Sequence, residues 1–272
     1  LENFAQILQV HFMEFLERVG EITTGFFNGV TGGLERGLTS LFGSSNARSR
    51  SERLAQLLSR STAAMKNLTF WFDVISPYAY LAFERLPRAL DGLPVTTSYR
   101  PVLFAGLLNH WGQKGPAEIE PKRAWTFRHV HWLAAQHGIT LHTPAVHPFN
   151  PLPLLRLALA CGPNRRVVEA LFRHAWVGGL DAQDPQRLAE VTARLAPARD
   201  PAGEAVKGEL RRLTEQAAAA GLFGVPSFAL AGRHFWGLDA LPMLRDALLD
   251  GPWFVRPDWD AAAVAPPGVV RR

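Results

Sequence analysis

A serine hydroxyl at the start of a helix can hold an anion. Ser76 stands where that arrangement is expected, in the run Phe70-Trp71-Phe72-Asp73-Val74-Ile75-Ser76-Pro77-Tyr78. Residues 68–75 are rich in aromatic and β-branched residues and read as a buried strand, interrupted by the single acid Asp73. Ser76 suits an N-cap and Pro77 suits the first helical position. Tyr78, Leu81, Ala82, Leu86 and Leu90 then recur at helical spacing, which predicts a helix over 77–90. The hydroxyl therefore sits at the carboxyl end of a strand and the positive end of a helix, where a thiolate is stabilised. Taken alone, Ser76 reads first as a structural cap, because caps are common and catalytic serines few.

The elements around this run fall into a recognisable order. Asp91-Gly92 closes the first helix, and residues 93–100 read as a second strand on the alternation of Val95, Thr97 and Tyr99. Strand, helix and strand form a βαβ unit with a parallel pair and a right-handed crossover. A Gly-rich, aromatic-bearing loop with a short helix follows, carrying Gly106, Asn109, Trp111, Gly112, Gln113, Lys114 and Gly115. Helical patterns are expected over 122–137, 152–161, 164–178, 184–195 and 202–220, with prolines 144, 148, 151 and 153 breaking the chain between the first two. Near the end, residues 221–230 turn into a strand and Ala231-Gly232-Arg233 reverses it. His234, Phe235 and Trp236 begin the return, and a final helix is expected over 239–249. This order is that of an α/β thioredoxin fold with a large helical insertion at about residues 105–220, placing the folded domain at 65–272.

Residues 1–64 differ in character. Phe4, Ile7, Leu8, Phe12, Phe15, Leu16 and Val19 make one amphipathic helical face. Gly25, Gly29, Gly33 and Gly37 follow at every fourth position, a spacing that brings membrane helices together. Asn28, Glu35 and Arg36 oppose burial in lipid, and each glycine weakens a helix. A helical or flexible extension is expected, joined to the domain by the Ser/Arg-rich stretch 44–62.

Composition narrows the function classes. The 272 residues are 47% hydrophobic and 19% charged, with a net charge of +5, as in a globular protein of one large or two small domains. No Lys/Arg block with interleaved aromatics marks a nucleic-acid surface, and no apolar run reaches transmembrane length. Cys161 is the single cysteine, which excludes an internal disulfide framework and fits a reducing, cytoplasmic compartment. By residue type it is expected to be a small buried hydrophobe. His129 and His131 do not share a helical face, so no metal site is expected.

Several motifs together resemble the 2-hydroxychromene-2-carboxylate isomerases, relatives of kappa-class glutathione transferases and of bacterial disulfide oxidoreductases. They are Asp73 to Tyr78, Arg100-Pro101-Val102-Leu103, Asn109 to Ile119, Phe149-Asn150-Pro151, Gly224-Val225-Pro226-Ser227-Phe228 and Phe235-Trp236-Gly237-Leu238-Asp239. The resemblance runs from Met65 to about Trp253 and does not include residues 1–64.

The resemblance implies glutathione as cofactor, with Ser76 donating to its sulfur and Val225 pairing its backbone with the cysteinyl part. Pro226 would be cis. Trp236, Gly237, Leu238 and Asp239 would receive the γ-glutamyl end, with Asp239 accepting from its ammonium group. Gln113 stands where kappa-class enzymes have Asn. The implied reaction is glutathione-dependent isomerisation of an aromatic carboxylate. Lys114, Lys122 and Arg123 are candidate cations for the substrate, and Trp111 and Asn150 candidate contacts. A homodimer is implied as well. Conjugation or peroxidase activity on electrophiles would use the same Ser76 and Val225. A non-catalytic thioredoxin-like binding protein, tethered through residues 1–64, would use neither. Absence of cysteine at position 76 argues against disulfide exchange.

Overall fold

The computed structural model describes residues 64–264 and Gly268. The readings made for residues 1–63 lie outside the described residues. The core is a four-stranded sheet in the order β2-β1-β3-β4. Strand β1 (Lys66–Phe72) leads into α1 (Pro77–Leu90), and α1 returns to β2 (Val95–Pro101), which runs parallel to β1. β3 (Ser227–Leu230) lies antiparallel to β1, and β4 (Arg233–Trp236) antiparallel to β3. The α/β thioredoxin-like fold is the one expected.

Between β2 and β3 stand α2 (Phe104–His110), a 3₁₀ turn at Pro116–Glu118, α3 (Glu120–His137), α4 (Leu152–Cys161), α5 (Arg165–Trp176), α6 (Pro185–Leu195) and α7 (Glu204–Ala219). The sequence periodicity places most of these to within about two residues. After β4 come α8 (Leu241–Leu248) and two short helices, α9 (Pro252–Val255) and α10 (Asp258–Ala262). The last two were not expected. They pack Phe254 and Trp259 on Phe235, with ring centroids 5.8 and 5.4 Å away.

β1 is central because its side chains are apolar on both faces. Phe70 is fully buried, stacked on Phe228 at 5.2 Å and on Phe72 at 5.7 Å. Burying one such ring contributes about 2–3 kcal/mol. α1 buries Leu81, Phe83 and Leu86, and Phe172 of α5 meets Phe83 at 5.2 Å. One aromatic core thus joins the sheet, α1 and the helical insertion. β2 alternates half-buried Val95, Thr97 and Tyr99 with exposed Thr96, Ser98 and Arg100, as an edge strand should.

One boundary differs from expectation. β1 ends at Phe72, although Val74 and Ile75 are apolar and β-branched. The Asp73 carboxylate stops it by folding back to accept the Ile75 N–H at 3.1 Å, and it also accepts the Phe104 N–H of α2 at 2.8 Å. An Asx turn replaces the last strand residues. Cys161, expected in the core, is half-buried at the end of α4.

Candidate functional site

The residues before Ser76 form a turn whose carbonyls at Asp73, Val74 and Ile75 each accept a hydrogen bond. The Ser76 N–H donates to Asp73 O at 3.2 Å. The Trp176 indole N–H donates to Val74 O at 2.8 Å, and His147 Nε2 donates to Ile75 O at 3.0 Å. Asp73 is fully buried and Ser76 is 8% exposed. Burial pushes the Asp73 carboxyl up to about 7, against the lowering effect of the Phe104 and Ile75 N–H groups.

Ser76 is the N-cap of α1, and Pro77 follows at N1. Its Oγ accepts the Ala79 N–H at 3.2 Å and donates to Val225 O at 3.4 Å. The second bond is long, so the hydroxyl can turn its proton to a stronger acceptor. The first turn of α1 has no acidic residue. The Tyr78 N–H has no acceptor among the described residues, leaving a helix-terminal donor beside Ser76.

The Val225-Pro226 peptide is cis. Its approach is fixed from several sides. Ser227 Oγ donates to Gly224 O at 2.7 Å, and Trp111 Nε1 donates to Leu222 O at 2.9 Å. A Cβ on Gly224 would fall 2.6 Å from Trp236 Nε1, so only glycine lets that indole lie on the chain. The Gly237 N–H donates to Pro226 O at 2.9 Å. Gly237 has φ +99°, and the Asp239 carboxylate fills the space a Cβ would need. Asp239 is exposed. Together with burial, its charge raises the Tyr78 hydroxyl above the usual phenol value. Tyr78 in turn shares a 2.9 Å hydrogen bond with His129 Nδ1 on α3.

Ser76, Val225, Pro226, Trp236, Gly237 and Asp239 are therefore linked by direct contacts or through a single neighbour, and Trp111 holds the same segment three residues earlier, at Leu222. Leu238 is buried beneath them. The polar residues of the following loop and of the start of α3 are placed differently. Gln113, Lys114 and Lys122 are exposed, and their side chains make no hydrogen bond among the described residues. Arg123 Nη2 donates to His147 O at 2.8 Å, which brings it one residue from the Ser76 turn. Asn150 is exposed, at the turn before α4. Its Oδ1 accepts the Leu152 N–H at 3.1 Å in an Asx turn, and its backbone N–H donates to Gln183 Oε1.

Three residues of the site went unassigned in the sequence. Asp73 was visible as an acid in an apolar run, a signal that could have marked it. Trp176 and His147 gave none, because their partners lie 102 and 72 positions away. The His147-Pro148 peptide is also cis. Among the described residues no His/Cys/Asp/Glu group could hold a metal, and no helix is long and apolar enough to cross a membrane.

The residues present fit glutathione at this position. The Val225 N–H and the Tyr78 N–H have no acceptor among the described residues, and Ser76 Oγ, between their two segments, lies 3.4 Å from Val225 O. Unpartnered backbone donors at a helix start suit a peptide-like anion.

The model of the DSBA-like thioredoxin domain matches residues 67–249. A 2-hydroxychromene-2-carboxylate isomerase from Sphingobium xenophagum is 31% identical over 196 residues, spanning 68% of this chain and 99% of that protein. Glutathione S-transferase kappa 2 from Caenorhabditis elegans is 26% identical over 210 residues, spanning 68% and 92%. A solved 2-hydroxychromene-2-carboxylate isomerase structure superposes with a TM-score of 0.61 at 23% identity, covering 72% of this chain and 98% of its own. The chain belongs to the DSBA-like thioredoxin family, among the relatives of 2-hydroxychromene-2-carboxylate isomerases and kappa-class glutathione transferases.

Proposed function

We propose that the protein is a glutathione-dependent isomerase that converts 2-hydroxychromene-2-carboxylate to trans-o-hydroxybenzylidenepyruvate in aromatic catabolism. The observation that carries this reading is the Ser76 hydroxyl at the start of α1, 3.4 Å from the carbonyl of a cis Val225-Pro226 peptide. The chain's one thiol, Cys161, belongs instead to the end of α4.

Ser76 and the α1 terminus would hold the glutathione sulfur as a thiolate. Val225 would pair its free N–H, and its carbonyl once released by Ser76, with the cysteinyl backbone. Trp236, Gly237, Leu238 and Asp239 would take the γ-glutamyl end, Asp239 through its ammonium, with Gln113 and Pro226 completing the groove. A free thiol has a pKa of about 8.5, and a hydroxyl donor at a helix N-terminus lowers it by one unit or more. When bound, glutathione supplies a nucleophile that adds to a conjugated carbon, permits rotation about the resulting single bond and leaves unchanged. Lys114, Lys122 and Arg123 would attract the substrate carboxylate, and Trp111 would stack on its ring.

Residues 65–272 would carry this activity in the cytoplasm, where glutathione stays reduced, as a homodimer, with residues 1–64 as a separate extension. The second reading is conjugation of electrophiles, favoured by the kappa-class transferase relatives. A spectrophotometric isomerase assay with and without glutathione, run beside an electrophile-conjugation assay, separates the two. Isomerisation only in the presence of glutathione supports the first. Conjugation without isomerisation supports the second.

A further inference from the structure

His147 is held as a single tautomer at the turn that carries Ser76. Its Nε2 faces the Ile75 carbonyl at 3.0 Å, so the proton is on Nε2. Its Nδ1 is buried and has no hydrogen-bond partner. The ring is packed by Phe127, Trp176 and Phe149, with centroids 5.1, 5.7 and 6.1 Å away. The carbonyl it grips belongs to the Ile75-Ser76 peptide, whose N–H goes to Asp73 O. The preceding peptide is gripped likewise, its carbonyl by Trp176 and its N–H by the Asp73 carboxylate. The orientation of Ser76 Cβ follows from the plane of the Ile75-Ser76 peptide, and so does the direction in which its hydroxyl points.

We propose that His147 is a positioning residue for the thiol chemistry. It fixes the Ile75-Ser76 peptide and thereby aims the Ser76 hydroxyl at the glutathione sulfur. It touches neither glutathione nor substrate. The inference rests on the glutathione reading above and adds a residue to it from the helical insertion, 71 positions from Ser76 in sequence. Donor placement matters here because a hydroxyl stabilises a thiolate only along a short, well-directed bond.

The chemistry of the pocket keeps the ring neutral. A second proton would sit on Nδ1 among three aromatic rings. Two charged or titratable groups face the imidazole and its turn: the Arg123 guanidinium from α3 and the Asp73 carboxyl across the Ile75 peptide. Burial, aided by Arg123 and opposed by the bond to Ile75 O, holds His147 below its ordinary value of 6.5. The Nε2–H bond to Ile75 O survives protonation, but the added charge on Nδ1 is buried without a partner, so the packed turn is most stable above that value and loses stability as pH falls through the lower folded-state value.

The test is a pH titration of the ultraviolet thiolate absorption of glutathione bound to the full chain, wild type and variants, with thermal unfolding in parallel. His147→Phe fills the pocket without a donor. His147→Gln reaches the same carbonyl with an amide N–H, and His147→Asn is too short to reach it. The bound thiol pKa is expected to rise by about one unit in His147→Phe and His147→Asn, with about tenfold lower kcat and little change in KM. His147→Gln is expected to restore both. If Phe fails to fold, the Gln and Asn pair decides by reach alone. Variants that only melt earlier, with an unchanged thiol titration, would show that His147 is packing and overturn the proposal. A wild-type protein that leaves the bound thiol at its solution value would overturn the glutathione reading itself, and this proposal with it.

Discussion

The turn at residues 73–76 and the loop at residues 111–123 serve one proposed reaction under opposite physical conditions. In the turn the carbonyls of Asp73, Val74 and Ile75 are all paired, the Asp73 carboxyl is fully buried, and partners come from the turn itself, α2, α5 and the segment before α4. In the loop the side chains of Gln113, Lys114 and Lys122 reach into solvent, and the backbone is held by local bonds such as Gly115 N–H to Glu118 Oε1 at 2.6 Å. Two longer-range ties, Trp111 to Leu222 and Arg123 to His147 O, anchor it. The difference fits a division of labour. Lowering a thiol pKa needs a dry site in which donors do not move, because a reorienting dipole gives back the energy it supplies. Gathering a substrate carboxylate tolerates solvent and motion.

The contrast yields predictions of decreasing size. Asp73→Ala removes the acceptor of two N–H groups at once, each orphaned donor costing about 1–3 kcal/mol, so the unfolding midpoint in denaturant should fall by the largest amount of any single change in the site. A drop no larger than that of a surface variant would show that the turn is not held through Asp73. Next in size, Trp176→Phe keeps the ring and leaves Val74 O unpaired, for about 1–3 kcal/mol by the same measurement.

Asp73 also gives the comparison a pH signature. Its folded-state value, about 7, is raised above the ordinary 3.8, so the stability it contributes is complete below 3.8 and is lost as pH rises through about 7. Wild type should therefore lose ground to Asp73→Asn between pH 4 and pH 7 in thermal unfolding, and parallel curves would contradict the burial of that charge. The smallest effect is expected in the loop. Lys114→Ala should shift stability by less than about 0.5 kcal/mol and raise the substrate KM less than tenfold with kcat unchanged. A large loss of stability would erase the distinction between the two regions.

How much of this was legible in the sequence follows the same division. Ser76 as a cap, the parallel βαβ unit, the Val225-Pro226 turn and the spans of the insertion helices are set by neighbours a few residues apart, and each left a local pattern. The end of β1 was misplaced because Val74 and Ile75 have strand-forming side chains, while the force that ends the strand is a carboxylate bonded to Phe104, 31 positions on. His147 and Trp176 were invisible for a related reason. A histidine between an apolar residue and a proline, and a tryptophan on an apolar helix face, carry no mark of the carbonyl each will meet.

The most direct test of the central claim, that Ser76 and the α1 terminus ionise a thiol the protein itself does not supply, is the pH dependence of chromene isomerisation at saturating glutathione in wild type and Ser76→Ala. The expected result is an acid limb in the wild-type profile at least one unit below the free thiol, near pH 7.5 or lower. In Ser76→Ala it should return toward about 8.5, with kcat at neutral pH reduced about a hundredfold and a loss of only about 1 kcal/mol in stability from the missing cap. Equal profiles and equal turnover for the two proteins would contradict it.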